Sequence, residues 1–87
     1  MTNTMIYRKK AAKRIEQALP AGQGIRYQNL GPDNILSIYL PAYKHQNSPQ
    51  QRLMVSLEVN AIAAWDTVEE ADMDSDRAGT SITIVFK

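Results

Sequence analysis

The sequence predicts a small α+β domain in which an N-terminal helix packs on one face of a four-stranded antiparallel sheet. Residues 5–19 have the three- and four-residue apolar spacing of an amphipathic helix. Residues 24–30, 34–43, 52–60 and 80–86 alternate apolar and polar side chains, as half-buried strands do. With 87 residues the chain is too short for two separate cores, so we expect a single domain over residues 1–87.

The predicted helix has an apolar stripe that is rich in alanine. Its members are Ala11, Ala12, Ile15, Ala18 and Leu19. Pro20 ends the helix, because the residue before a proline is displaced from the α region of backbone space. The small side chains of the stripe allow the helix to lie close to the surface that it covers.

The alternation in the strands assigns their side chains to two faces of the sheet. The inward face is predicted to consist of Leu36, Ile38, Leu40, Leu53, Val55, Leu57, Val59, Ile82, Ile84 and Phe86. The second face would carry Ile35, Tyr39, Met54 and Val85 among polar neighbours. If no second helix covers that face, it is a candidate homodimer interface.

Residues 61–79 form the connection to the last strand, and they are too many for a structureless loop in a small domain. We expect a short helix within 61–73 that buries Ile62, Trp65 and Val68. In the alternative, the third strand continues to Trp65 and a shorter helix follows, begun by the capping pair Asp66 and Glu69. The predicted element order is therefore α-β-β-β-α-β.

The composition excludes several classes of function. The chain has no cysteine, which excludes disulfides, thiolate metal sites and cysteine nucleophiles. Its longest apolar runs are only a few residues, so we expect no membrane span, no targeting segment and a cytoplasmic location. The only histidine, His45, lies in a predicted polar loop without an evident acid–base partner. We therefore expect a protein that is not an enzyme and has no cofactor.

Charge is strongly segregated along the chain, although the net charge is only +1. Residues 1–52 carry a net charge of +6, and residues 53–87 carry −5. A chain of this kind offers a charged face to a partner, unless its two poles neutralise each other within the fold.

The acidic pole is concentrated before the last predicted strand. Its members are Glu69, Glu70, Asp72, Asp74 and Asp76. From Asp72 onward the run resembles the start of a calcium-binding loop, but Arg77 replaces the required glycine and Thr83 replaces the bidentate glutamate. We therefore expect no metal site. The remaining interpretations are a solvated turn and a contact surface for a basic partner, including a surface that occupies a nucleic-acid site.

The basic pole lies on the first helix. Its members are Arg8, Lys9, Lys10, Lys13 and Arg14. Residues 9–13 resemble the lysine patch of double-stranded-RNA-binding domains, and an amphipathic Ala-Leu ending follows as in that family. In that family the patch opens the last helix, after the sheet, whereas here it lies before the sheet, so the family is not assigned. The alternatives are a nucleic-acid contact and a solvated helix face.

The function expected from these features is a small, non-enzymatic protein-binding module, regulatory or inhibitory, that occupies a partner surface. In its small size and its lack of catalytic or cofactor-binding motifs it is analogous to anti-CRISPR proteins, although no motif supports that analogy. A nucleic-acid-binding protein that uses the basic helix is the alternative hypothesis.

Overall fold

The computed structural model describes residues 3–28 and 32–87, and within them the chain forms three helices and four strands. In chain order they are α1 (Asn3–Ala18), β1 (Arg26–Gln28), β2 (Ile35–Pro41), α2 (Tyr43–Gln46), α3 (Pro49–Ala63), β3 (Val68–Ser75) and β4 (Gly79–Phe86). The α+β class, the N-terminal helix and the four-stranded antiparallel sheet are confirmed. The element order is α-β-β-α-α-β-β, so the predicted order is wrong in its second half.

The four strands are ordered β1-β2-β4-β3, and every neighbouring pair is antiparallel. The central pair aligns Leu36 with Ile84 and Ile38 with Ile82, so the predicted inward faces of β2 and β4 are confirmed. The short β1 lies at one edge and β3 at the other. The predicted turn between β1 and β2 begins at Gly31, which lies outside the described residues; at its far end the amide of Ile35 donates to the carbonyl of Pro32.

Both long helices pack on the same side as the buried strand residues. Ala11 and Ile15 of α1, and Val55, Val59 and Ile62 of α3, belong to one core cluster with the inward side chains of β2 and β4. The alanine-rich stripe predicted for α1 is therefore confirmed as its packing face. None of the helices in the described ranges is both long and apolar enough to cross a membrane.

The predicted third strand, 52–60, is wrong, because these residues lie in the middle of α3. Ser48 begins the helix with a capping box: its hydroxyl accepts from the amide of Gln51, and the Gln51 side chain accepts from the amide of Ser48. Pro49 occupies the first helical turn, where its fixed backbone angle suits the helix and no amide is needed. This local signal outweighs the two-residue alternation that follows it.

The short helix predicted within 61–73 is also wrong. Only residues 61–63 are helical, as the last turn of α3, and β3 begins at Val68. The capping pair proposed at Asp66 and Glu69 is not used, because residue 69 falls at an irregularity in strand register between Val68 and Glu70. Trp65 follows α3 and packs half-buried against the core, as expected for its size.

A tight turn joins β3 to β4. The Asp76 carboxylate accepts from the amides of Ala78 and Gly79 at 2.8 and 3.0 Å. Gly79 is required here, since a Cβ at this position would lie 2.6 Å from the carbonyl oxygen of Leu40. The turn is thus fixed against the end of β2, and Asp76 has a structural role in it.

We predict that substitutions along α3 will follow the helical pattern. Ile62→Ala should lower the free energy of unfolding by about 2–5 kcal/mol, because Ile62 is fully buried. Leu57→Ala should change it by less than about 0.5 kcal/mol, because Leu57 is exposed. Urea denaturation measures both values. Comparable losses from Leu57→Ala and Val55→Ala would instead indicate that residues 53–59 form a strand.

Candidate partner-binding surface

The basic residues predicted as a site do not all remain available on the surface of α1. The guanidinium of Arg8 donates to the carbonyl of Asp33 at 2.9 Å. Arg14 forms an ion pair with Glu58 of α3, and its guanidinium lies 6.0 Å from the centre of the Trp65 ring. Both arginines therefore hold α1 to other parts of the fold. The three lysines, Lys9, Lys10 and Lys13, are exposed.

The acidic residues divide into three structural positions. Glu70, Asp72 and Asp74 occupy alternate positions of β3, so their side chains point to one face of the sheet. Glu69 lies at the register irregularity, and Asp76 caps the turn. The prediction of a solvated turn is confirmed for residues 76–78 but is wrong for residues 72–75, which form part of a strand.

The three strand carboxylates lie on the sheet face that the helices leave open. Across the sheet, Glu70 is aligned with Val85 and Ile35, Asp72 with Thr83 and Ser37, and Asp74 with Ser81 and Tyr39. The predicted outward position of Ile35, Tyr39 and Val85 is confirmed, whereas Met54 belongs to α3. The open face thus has a mixed apolar and hydroxyl centre and an acidic border along β3.

The three carboxylates are close enough to repel one another. Alternate side chains on a strand emerge about 7 Å apart, which is less than the Debye length at physiological salt. Their cross-strand neighbours on β4 are Val85, Thr83 and Ser81, which carry no charge. β3 therefore carries an unfavourable concentration of negative charge at an edge of the sheet.

A second unusual surface lies on α3. Leu53, Met54 and Leu57 are 58%, 60% and 54% exposed, more than any other large apolar side chains in the described ranges. The neighbouring exposed positions are Gln50, Asn60 and Ala61 of α3 and Ala64 directly after it, none of which is charged. Around the helix axis the nearest charged side chain on α3 is Glu58, one turn from Met54, and it is paired with Arg14. Contiguous apolar surface of this kind marks an interaction site in soluble proteins. We call Leu53, Met54 and Leu57 the α3 apolar face.

The α3 apolar face is not evident from the sequence pattern, because the alternation over residues 52–60 is typical of a strand. The signal that identifies them is the sequence Ser48-Pro49-Gln50-Gln51, a capping box with proline in the first turn. Once a helix begins at Pro49, its periodicity places Leu53 and Leu57 opposite Val55, Val59 and Ile62.

A groove of about 340 Å³ lies between α3 and β3. It is lined by Ser56, Val59 and Asn60 of α3 and by Ala71, Asp72 and Met73 of β3. The hydroxyl of Ser56 lies 3.9 Å from the sulfur of Met73. Successive side chains of a strand point to opposite faces, so the side chains of Ala71, Asp72 and Met73 do not all enter the groove. These three residues line it together through the backbone of the edge strand.

The remaining grooves offer weaker arguments for a site. One of about 310 Å³ lies between α1 and the sheet and is lined by Met5, Arg8, Lys9, Ala12, Tyr27 and Leu36. No cluster of three or more metal-ligating side chains occurs within residues 3–28 and 32–87.

The raised pKa of Tyr43 is a property of the core and not of a site. Burial raises the pKa of its phenol above 10.0, and the positive charge of Arg52 opposes that shift. His45 is exposed on α2, which replaces part of the predicted polar loop.

Comparison with known proteins gave no match, either to a family model or to a curated protein. Function is therefore inferred from the geometry of the α3 apolar face, the groove and the acidic edge strand.

We predict that neutralising the strand carboxylates stabilises the protein. The variant Glu70→Gln/Asp72→Asn/Asp74→Asn should melt at a higher temperature than the wild type at low salt, because it removes like-charge repulsion along β3. The difference should shrink as salt is added. The control Asp66→Asn removes one exposed carboxylate outside the strands and should have a smaller effect. A lower melting temperature for the triple variant would show that the carboxylates stabilise the fold.

Proposed function

We propose that this chain is a non-enzymatic protein-binding module, regulatory or inhibitory, that acts by occupying a surface of its partner. The observation that carries the proposal is the α3 apolar face. Three large side chains more than half exposed on one helix cost solvation free energy unless a partner covers them. The helix that presents them is held in place by its capping box and by the Arg14–Glu58 ion pair.

The acidic edge supports the same function. Repelling carboxylates lower stability, and such costs are commonly retained where a binding surface requires them. A basic partner surface would relieve the repulsion and would also gain an on-rate advantage from electrostatic attraction. We place the module in the cytoplasm, because its core is built without disulfides.

The proposal predicts that partner capture depends on Leu53 and Leu57. The tagged variant Leu53→Gln/Leu57→Gln should no longer retain the proteins that the wild type retains from cells of its source, measured by quantitative mass spectrometry. The control Ile6→Gln alters an apolar side chain on α1 that is 41% exposed, and it should retain them. The proposal fails if the α3 variant retains the same proteins as the wild type while both variants have wild-type helicity.

Nucleic-acid binding is the second candidate function. The observation in its favour is that Lys9, Lys10 and Lys13 are all exposed within one arc of α1. Phosphate contacts by lysines make affinity fall steeply as salt increases.

This second candidate predicts that labelled duplex RNA or DNA binds at low salt, measured by fluorescence anisotropy. The variant Lys9→Gln/Lys10→Gln/Lys13→Gln should then reduce the slope of log affinity against log salt by about one for each phosphate that a lysine no longer neutralises. The control Lys44→Gln/Arg77→Gln/Lys87→Gln removes three exposed positive charges elsewhere and should leave the slope unchanged. Equal effects from both variants, or no binding at low salt, would exclude this candidate.

A further inference from the structure

We propose that the edge strand β3 binds an extended basic and apolar segment of the partner, which adds to the sheet as a fifth strand beside the groove between α3 and β3. This inference rests on the proposed protein-binding function and assigns the chemistry of the partner. It follows from three features of the same edge: the outward backbone groups of β3, the carboxylates on one face, and the groove between α3 and β3 on the other.

The backbone of β3 offers unpaired hydrogen-bonding groups. The sheet order places β3 at an edge, so only β4 pairs with it. The amide of Asp76 donates to the carbonyl of Gly79, which fixes the phase of the ladder. Because hydrogen-bonded and non-hydrogen-bonded pairs alternate in antiparallel strands, Asp74 and Asp72 bond to β4. The backbone groups of Ala71 and Met73 then point away from the sheet.

The two faces of this edge differ in chemistry. On the open face, Glu70, Asp72 and Asp74 lie beside the position that an added strand would take. On the helix side, the groove is bordered by Ser56 and Asn60. The same groove is lined by Val59 of α3 and by Ala71 and Met73 of β3, so its walls also include apolar side chains.

An added strand that suits both faces must alternate basic and apolar side chains. Its side chains on the open face lie beside three carboxylates and are lysine or arginine, since opposite charges across neighbouring strands are favourable and like charges are not. Its side chains on the helix side lie beside Ala71 and Met73 and are apolar. A second copy of β3 does not meet this requirement, because its carboxylates would lie beside those of the first copy.

The test uses a defined probe, a labelled capped peptide of alternating lysine and valine that is as long as β3. It should bind the wild-type protein, as measured by fluorescence anisotropy. Two peptides serve as controls: one alternates glutamate and valine, and the other has the same lysines and valines in two separate blocks. Both should bind more weakly than the probe. A block peptide that binds equally well would overturn the proposal, because charge alone would then explain the affinity.

Two protein variants test the two faces. Glu70→Gln/Asp72→Asn/Asp74→Asn should lower the affinity for the alternating peptide roughly tenfold, as expected from losing three cross-strand ion pairs. Met73→Gln should also lower this affinity, because it removes an apolar side chain from the groove, whereas Asp66→Asn should not. Unchanged affinity in the triple variant would overturn the proposal, since that variant is expected to fold at least as well as the wild type.

Amide hydrogen exchange locates the added strand directly. The peptide should slow exchange at Ala71 and Met73, whose amides point outward, and leave Asp72 and Asp74 nearly unchanged. Binding without protection at Ala71 and Met73 would overturn strand addition. Such a result would leave the proposed function intact if the α3 variant still loses partner capture, so the two failures are distinguishable.

Discussion

The fold depends on the pairing of β2 with β4, which joins segments from opposite halves of the chain. This pairing places Leu36 and Ile38 beside Ile84 and Ile82 on one face, and that face is the surface on which both long helices pack. Because β4 is central, its other edge pairs with β3. The tight turn at Asp76 and Gly79 holds β3 against that edge. The uncovered edge and the open face are consequences of that central pair.

The predictable parts of the fold are those in which the buried residues recur at one regular spacing. The stripe of α1 and the alternation in β2 and β4 reflect one buried face each, so their patterns predict the structure. In α3 the exposed Leu53 and Leu57 lie two residues from the buried Val55 and Val59, and together the four imitate a strand. In β3 the acidic residues have low strand propensity, and only pairing with β4 makes this segment extended.

Both mispredicted segments contribute to the candidate surface, and this has a physical reason. A helix that only supports the core would have polar residues at positions 53 and 57, and an amphipathic pattern would then be evident. A strand does not need three carboxylates on one face to complete a sheet, and their repulsion lowers stability. Departures from locally consistent sequence are expected where a residue serves binding at the expense of stability. The side chains at such positions are selected by a partner, and the pattern of a single sequence holds no information about that partner.

Charge on an edge strand also protects a sheet against unwanted pairing, and that role alone would account for carboxylates on β3. The neighbouring helix argues for more than protection. A surface selected only to stay unpaired would not expose Leu53, Met54 and Leu57 on the adjoining helix, because exposed apolar side chains promote the association that the charges oppose. The combination repels a like-charged strand such as β3 of a second copy and attracts one that carries positive charge on one face and apolar side chains on the other. Selectivity of this kind needs both a repulsive and an attractive element, and the edge strand β3 with the neighbouring α3 provides both.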